Sequence, residues 1–215
     1  MTLEQVYQQL FQRYGPQYWW PAETPFEVMV GAVLTQNTAW SNVERAIDNL
    51  KANNCLTPER ILSVPVEKLA KWLQPSGYFN IKAKRLRNLC QWYIDAGQFK
   101  VVSSWDTREL RHALLSVNGV GPETADDILL YAFDRPVFVI DAYTRRLFSR
   151  LELLDHDASY EHLRKHFEEQ LPKEVSLFNE YHALIVMHAK DVCRKKPYCT
   201  KCCLSTFCSF PTDQR

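Results

Sequence analysis

The sequence predicts an all-α protein, and three observations carry that reading. Apolar residues recur at helical spacing along almost the whole chain. Glycine is scarce, six among 215 residues, where average usage of roughly 7% would give about fifteen. The only strand-like run is Val137–Ile140, which is too short to found a sheet and reads as an extended connector.

The helical stripes follow in order. Val43, Ala46, Ile47 and Leu50 keep the i, i+3, i+4, i+7 spacing of one buried face. Leu86, Leu89, Cys90 and Tyr93 repeat it, as do Ala125, Ile128, Leu129 and Ala132. Phe178, Tyr181 and Ile185 carry a later stripe. Breaks fall at Pro16, Pro21, Pro25, Asn53 to Pro58, Pro65, Pro75 to Gly77, Pro136 and Pro172. Stripes and breaks together divide the chain into about ten helices. There is no internal repeat and no low-complexity segment.

Composition narrows the classes. Hydrophobic residues make up 46% and charged residues 24%, a globular balance that excludes disordered and fibrous proteins. The length suffices for one or two small domains with a real core. Lys+Arg number 26 and Asp+Glu 25, for a net charge of +1. A nucleic-acid partner would therefore have to be held by local patches, because bulk charge supplies no attraction. The longest wholly apolar run, Val28–Leu34, is seven residues, far short of the ~20 needed to span a bilayer. Met1–Gln5 lacks the basic and apolar regions of a secretory signal. Seven cysteines without an export signal argue for reduced thiols or metal ligands in the cytoplasm, not disulfides.

The most informative stretch is Leu110–Phe133. A helix bearing Leu110, Ala113 and Leu114 runs into Val117-Asn118-Gly119-Val120-Gly121, and Pro122 then opens the next helix. Proline suits the first helical position, since its missing N–H would have had no partner there. The glycines permit positive φ and leave no side chain between backbone amides and a ligand. A helix N-terminus stripped in this way is an anion site suited to a DNA phosphate. An ordinary αα-hairpin with a glycine cap has the same spacing.

Nineteen residues after Pro122 comes Asp141, within Val139-Ile140-Asp141-Ala142. Asp141 ends an apolar run and precedes a helix, so it reads as an N-cap worth ~1 kcal/mol. The alternative is a carboxylate held at the mouth of a cleft, and for Asp141 taken alone the cap is the favoured reading. Cys193, Cys199, Cys202 and Cys208 form C-x5-C-x2-C-x5-C, with Cys203 extra. Four thiolates on so short a loop converge on one ion or cluster. Zinc usually shows two separated C-x2-C knuckles, whereas one compact run with unequal gaps fits an iron–sulfur cluster. Cys203 could replace Cys202 as ligand, at the expense of both neighbouring gaps. Cys55 and Cys90 read as core thiols.

Two basic runs stand out. Lys190, Arg194, Lys195, Lys196 and Lys201 surround the cysteines with only Asp191 opposing, and Lys82, Lys84, Arg85 and Arg87 lie together with no acid. Such runs are usually solvated faces, but beside a hairpin anion site they suggest nucleic-acid backbone contacts. All six tryptophans precede residue 106. Trp72, Trp92 and Trp105 read as core. Tyr18-Trp19-Trp20-Pro21 cannot all face one core, so part of it should line a surface or pocket.

Together, Leu34-Thr35-Gln36-Asn37-Thr38, the hairpin, the Asp141 segment and the cysteine loop resemble the endonuclease III branch of the helix–hairpin–helix DNA glycosylases. The resemblance spans nearly the whole chain. It implies two helical domains flanking a cleft that binds duplex DNA containing a damaged base, which is flipped out. The first would be a six-helix barrel over residues 22–134, with the helix–hairpin–helix at about residues 110–133. The second would join 1–21 to 135–215 and hold a [4Fe-4S] cluster through Cys193, Cys199, Cys202 and Cys208 in the loop 193–208. The family's loop usually has one residue more between its first two cysteines.

The resemblance also assigns roles. Asp141 matches the catalytic aspartate, which would stabilise an oxocarbenium-like sugar and position or deprotonate water at C1′. Gln36 matches the residue that fills the vacated stack. With Asn37, Gly119, Val120, Gly121, Lys195 and Lys196 it makes up the DNA-contacting set. Bifunctional members carry a lysine nucleophile at the position of Glu123; a carboxylate there implies a monofunctional hydrolase. Tyr18–Pro21, Trp40, Pro75–Asn80 and Glu123 look most like the branch that excises 3-methyladenine, in which the purine stacks between aromatics matching Trp20 and Trp40, with Pro21 beside it. Glu123 joins these as a base-binding candidate. That branch has phenylalanine at Trp40 and lacks the cysteine loop. The expectation is a cytoplasmic, monomeric base excision repair enzyme, nucleoid-associated when on DNA and without membrane contact. The alternatives are a uracil/thymine mismatch glycosylase and a non-catalytic structure-specific DNA-binding module; retention of Asp141 with Gln36 argues against the last.

Overall fold

A computed structural model describes residues 1–155 and 157–210. The described residues form α-helices and short 3₁₀ turns, with no strand among them. In chain order the helices are α1 (Leu3–Tyr14), α2 (Pro25–Leu34), α3 (Trp40–Ala52), α4 (Pro58–Ser63), α5 (Val66–Trp72) and α6 (Phe79–Asp95). They continue with α7 (Gln98–Val102), α8 (Thr107–Ser116), α9 (Pro122–Phe133), α10 (Ala142–Arg150), α11 (Tyr160–Gln170) and α12 (Val175–Asp191). Their number exceeds the sequence expectation because α4, α5 and α7 span only six, seven and five residues, windows in which periodicity cannot register. None is long and apolar enough to cross a membrane.

The chain divides into two compact units, Ala22–Arg135 and a second made from Met1–Pro21 with Pro136–Arg215. At the centre of the first lies α2, buried from Phe26 to Leu34. Thr24 caps it, accepting from Glu27 N at 3.1 Å, and Pro25 opens it. It packs on α9, α3 and α6. α9 is buried from Thr124 to Leu130, and its one fully buried carboxylate, Asp126, takes two bonds from Arg111 at 2.6 and 3.1 Å. A buried charge needs such a partner.

The basic run of α6 is only partly exposed: Lys82 is buried, Arg85 and Arg87 are half-buried and Lys84 is exposed. Lys82 is 1% exposed and donates to the carbonyls of Leu34 at 2.8 Å and Ser76 at 2.6 Å. It thereby closes the C-terminal end of α2, where a cation is favoured. Arg87 gathers the carbonyls of Ile61, Leu62 and Val64 at the end of α4. Arg85 donates to Gln36 Oε1 at 2.5 Å. Lys84 alone of the four is exposed. A sequence records the charges but not the helix ends that absorb them.

In the second unit the N-terminal helix meets α12. α1 carries a capping box between Thr2 and Gln5 and packs Leu3, Val6 and Leu10 on α12. Tyr181 of α12 donates its hydroxyl to the Leu3 carbonyl at 2.5 Å. Val137–Ile140 is an extended, buried connector; Phe138 stacks on Phe167 with centroids 4.1 Å apart. The connector delivers Asp141 to the first turn of α10, and α10 lies on α12.

Candidate active site

Asp141 is the N-cap of α10, where its Oδ1 accepts from Thr144 N at 2.6 Å. Its side chain remains 12% exposed, and its other oxygen, Oδ2, lies 3.6 Å from Nε2 of His182 on α12. Burial pushes the carboxyl up; the His182 imidazole and the Thr144 N–H together outweigh it and hold Asp141 below its ordinary value of 3.8. Asp141 is therefore an anion at neutral pH, with one oxygen committed to the fold and the other turned to a buried imidazole. The sequence reading missed His182. Its signal was a polar residue four positions after Phe178, inside the apolar stripe of α12.

The hairpin residues fall in the first unit. Gly119 has φ +101, a conformation that side-chain-bearing residues rarely take, whereas Gly121 has an ordinary φ of −93 and is the N-cap of α9. Positive φ therefore explains one of the two glycines. A Cβ on Gly121 would meet open space, and no side chain caps α9. The start of α9 thus offers backbone amides that no side chain caps, the arrangement that accepts an anion. Glu123 is exposed in its first turn, and Val120 is buried, its N–H donating to Val117 O at 3.0 Å.

Gln36, one residue beyond the C-cap of α2, is docked on this hairpin. Its Nε2 donates to Gly119 O at 3.1 Å and to Thr124 Oγ1 at 2.9 Å, while its Oε1 receives Arg85. Both ends of the amide are used. Asn37 beside it is exposed with φ +54. Trp40 opens α3, half-buried, with Nε1 donating to Glu44 at 2.9 Å. In the second unit Tyr18 is 87% exposed, while Trp19 and Trp20 are half-buried and meet edge to face at 6.0 Å; Pro21 is exposed. The aromatic triplet is thus divided between packing and surface.

Beyond α12, Cys193, Cys199, Cys202 and Cys208 line one cavity whose other walls include Leu147, Leu151, Leu204 and Arg150. Cys203 is not among the lining residues. Cys202 ends a 3₁₀ turn in extended backbone (φ −83, ψ 122), where successive side chains point to opposite sides. Arg150 braces the loop, donating to the Arg194 carbonyl at 2.7 Å and to Cys193 Sγ at 3.2 Å. Among the described residues no three His, Cys, Asp or Glu are grouped to hold a single ion. The thiols stand around a space rather than around a point. Lys195 and Lys196 are exposed on the same loop.

Residues 30–173 match the HhH-GPD superfamily base excision DNA repair protein family. The chain belongs to that superfamily. Within it, a Methanocaldococcus jannaschii protein provisionally named a DNA repair glycosylase is 50% identical over 206 residues, covering 94% of each chain. Endonuclease III of Sulfolobus acidocaldarius is 28% identical over 190 residues, 87% of this chain and 83% of its own. Among solved structures, the 3-methyladenine DNA glycosylase of Helicobacter pylori bound to 1,N6-ethenoadenine has a TM-score of 0.75 at 29% identity, covering 88% of this chain and 98% of its own. An endonuclease III–DNA complex has a TM-score of 0.82 at 22% identity, covering 97% and 96%, and speaks for the fold. This HhH-GPD chain is a DNA repair glycosylase with an all-helical, two-unit fold.

Proposed function

We propose that this glycosylase is monofunctional and hydrolyses the N-glycosidic bond of a cationic N-alkylated purine, of the 3-methyladenine type, in duplex DNA. The observation that carries the reading is Glu123, exposed in the first turn of α9 where the resembled lyases place their nucleophilic lysine. A carboxylate cannot form the Schiff base that strand cleavage requires. Lys82, whose amine burial lowers to about 8, gives no substitute, being shut in between two carbonyls. The hairpin supplies a phosphate anchor. To fill the stack left by a flipped base, Gln36 must exchange its bonds to Gly119 and Thr124 for bonds to DNA.

The chemistry asks little more than one anion. An N3-alkylated purine is positively charged, which weakens its bond to the sugar, so departure of the base leaves the positive charge on C1′. Asp141 Oδ2 offers the compensating charge and a seat for the attacking water. Trp20 and Trp40 supply indole faces that favour a cationic base over neutral adenine by ~0.5–2 kcal/mol. The named substrate class of the H. pylori relative supports the same choice.

Duplexes bearing single lesions, with base release followed directly, test this reading. Release of 3-methyladenine without borohydride-trapped protein–DNA adduct is expected. Trp40→Ala should lower release roughly tenfold or more, since an aromatic platform is worth ~1–3 kcal/mol per base, and Trp40→Phe should be mild. Release of uracil or thymine from mismatches, with none from methylated DNA, would transfer the assignment to the mismatch glycosylases. Efficient trapping would remove the monofunctional reading.

The cysteine loop is proposed to hold a [4Fe-4S] cluster through Cys193, Cys199, Cys202 and Cys208. A cavity ringed by four thiols, with apolar side chains behind them, fits a cluster held at its corners. When bound, the cluster ties the loop into one framework and supplies an electron-transfer group. Purified protein should contain iron and acid-labile sulfide in equal amounts; stoichiometric zinc without sulfide would end the proposal.

A further inference from the structure

One residue of α12 touches the cysteine loop at two places far apart in sequence. The His188 carbonyl accepts the N–H groups of Val192 at 2.8 Å and Cys193 at 2.9 Å, which sets the start of the loop. Its imidazole Nε2 lies 3.4 Å from Sγ of Cys202, in the middle of the loop. The ring's other nitrogen, Nδ1, lies 2.9 Å from the Tyr14 hydroxyl on α1. His188 is fully buried, while Tyr14 is half-buried with its ring 5.9 Å from the imidazole.

We propose that Tyr14 and His188 form a hydrogen-bond relay that positions Cys202 as a cluster ligand and tunes the cluster through its sulfur. This rests on the cluster reading given above. The direction of the relay follows from a proton inventory. A ligand cysteine is a thiolate and has no proton to give, so Nε2 must carry the hydrogen and donate it to Sγ. The neutral imidazole then has only a lone pair at Nδ1. That lone pair must accept, and the Tyr14 hydroxyl is the donor. Without Tyr14 the imidazole could place its proton on Nδ1, and the bond to sulfur would be lost. Tyr14 thus acts through His188, and His188 through Cys202.

An N–H aimed at a ligand sulfur withdraws electron density from it and favours the reduced cluster. Hydrogen-bonding partners of this kind typically govern retention of the metal as well, by 10–100-fold in affinity. The choice of Cys202 over Cys203 acquires a second cause: the imidazole approaches one of two neighbouring thiols.

The test uses the cluster-loaded protein and the variants Tyr14→Phe, His188→Gln and His188→Leu. Readouts are iron and sulfide content, the decay of the visible cluster absorption under a chelator with air, and the reduction potential. Glutamine returns an N–H to the neighbourhood of Nε2, whereas leucine fills space without one. Cluster lifetimes close to wild type are expected for His188→Gln. Tyr14→Phe should be several-fold shorter-lived, His188→Leu about tenfold or more, and both should have lower potentials. If Gln and Leu decay alike while Tyr14→Phe matches wild type, His188 only fills volume and the relay is overturned. Should His188→Leu fail to fold, Tyr14→Phe against wild type decides, because it removes a single oxygen. Wild-type protein with no iron or sulfide would defeat the cluster reading itself, a result distinct from a loaded protein whose variants do not differ.

Discussion

Asp141→Asn should lower the rate of base release on the order of 10²–10³ while leaving the fold nearly as it is. The two oxygens of Asp141 explain why these effects separate. Oδ1 serves the helix, accepting Thr144 N at 2.6 Å, and asparagine caps as well as aspartate. Oδ2 faces His182 at 3.6 Å, and its charge is what the substitution deletes. Asp141→Ala is the control: it loses the cap as well, at a cost of ~1 kcal/mol, and should show the same rate defect with a lower melting temperature. The carboxyl is held below 3.8, so the acid limb of the rate should begin only under that value. The contribution to stability has the same sign, complete above the ordinary carboxylate value and lost as pH falls through the lower folded one. An Asp141→Asn enzyme working near the wild-type rate would reduce the residue to a cap.

The reach of the sequence can be seen residue by residue. Val43, Ala46, Ile47 and Leu50 are all buried on α3, and Leu86, Leu89, Cys90 and Tyr93 on α6, as their spacing foretold. Pro122 does open α9. Periodicity succeeds there because burial of one face is a local pattern, repeated every turn. What failed depends on partners distant in sequence. Lys82, Arg85 and Arg87 read as one basic run, but the carbonyls and the amide that they bind lie 6–49 positions away and leave no mark on it. His182 was hidden because a histidine within an apolar stripe has the same local signature whether it fills a core or faces a carboxylate. Cys202 and Cys203 are chemically identical neighbours, distinguished by which way the backbone aims them and by the imidazole beside Cys202.

The hairpin glycines should respond to substitution in opposite ways. A Cβ on Gly119 would stand 2.2 Å from Arg85 Cγ, 2.8 Å from its Cβ and 2.9 Å from its Cδ. Arg85 would have to move, surrendering its bond to Gln36 Oε1. The φ of +101 would remain strained even then, at a cost of ~1–3 kcal/mol. Gly119→Ala should therefore melt several degrees lower and bind duplex DNA about tenfold or more weakly. Adding Arg85→Ala would remove the overlaps with Cγ and Cδ but leave the one with Cβ at 2.8 Å and the φ, so recovery should be partial. Gly121→Ala should melt close to wild type, because its φ of −93 is ordinary and the added methyl meets open space. That methyl would nevertheless stand at the uncapped start of α9, where a phosphate would approach. Affinity for duplex should fall, and the dependence on salt should flatten by about one counterion. Wild-type binding and salt dependence in Gly121→Ala would show that no phosphate sits on this helix start. A Gly119→Ala protein as stable as wild type would show that the hairpin can be built without its left-handed residue.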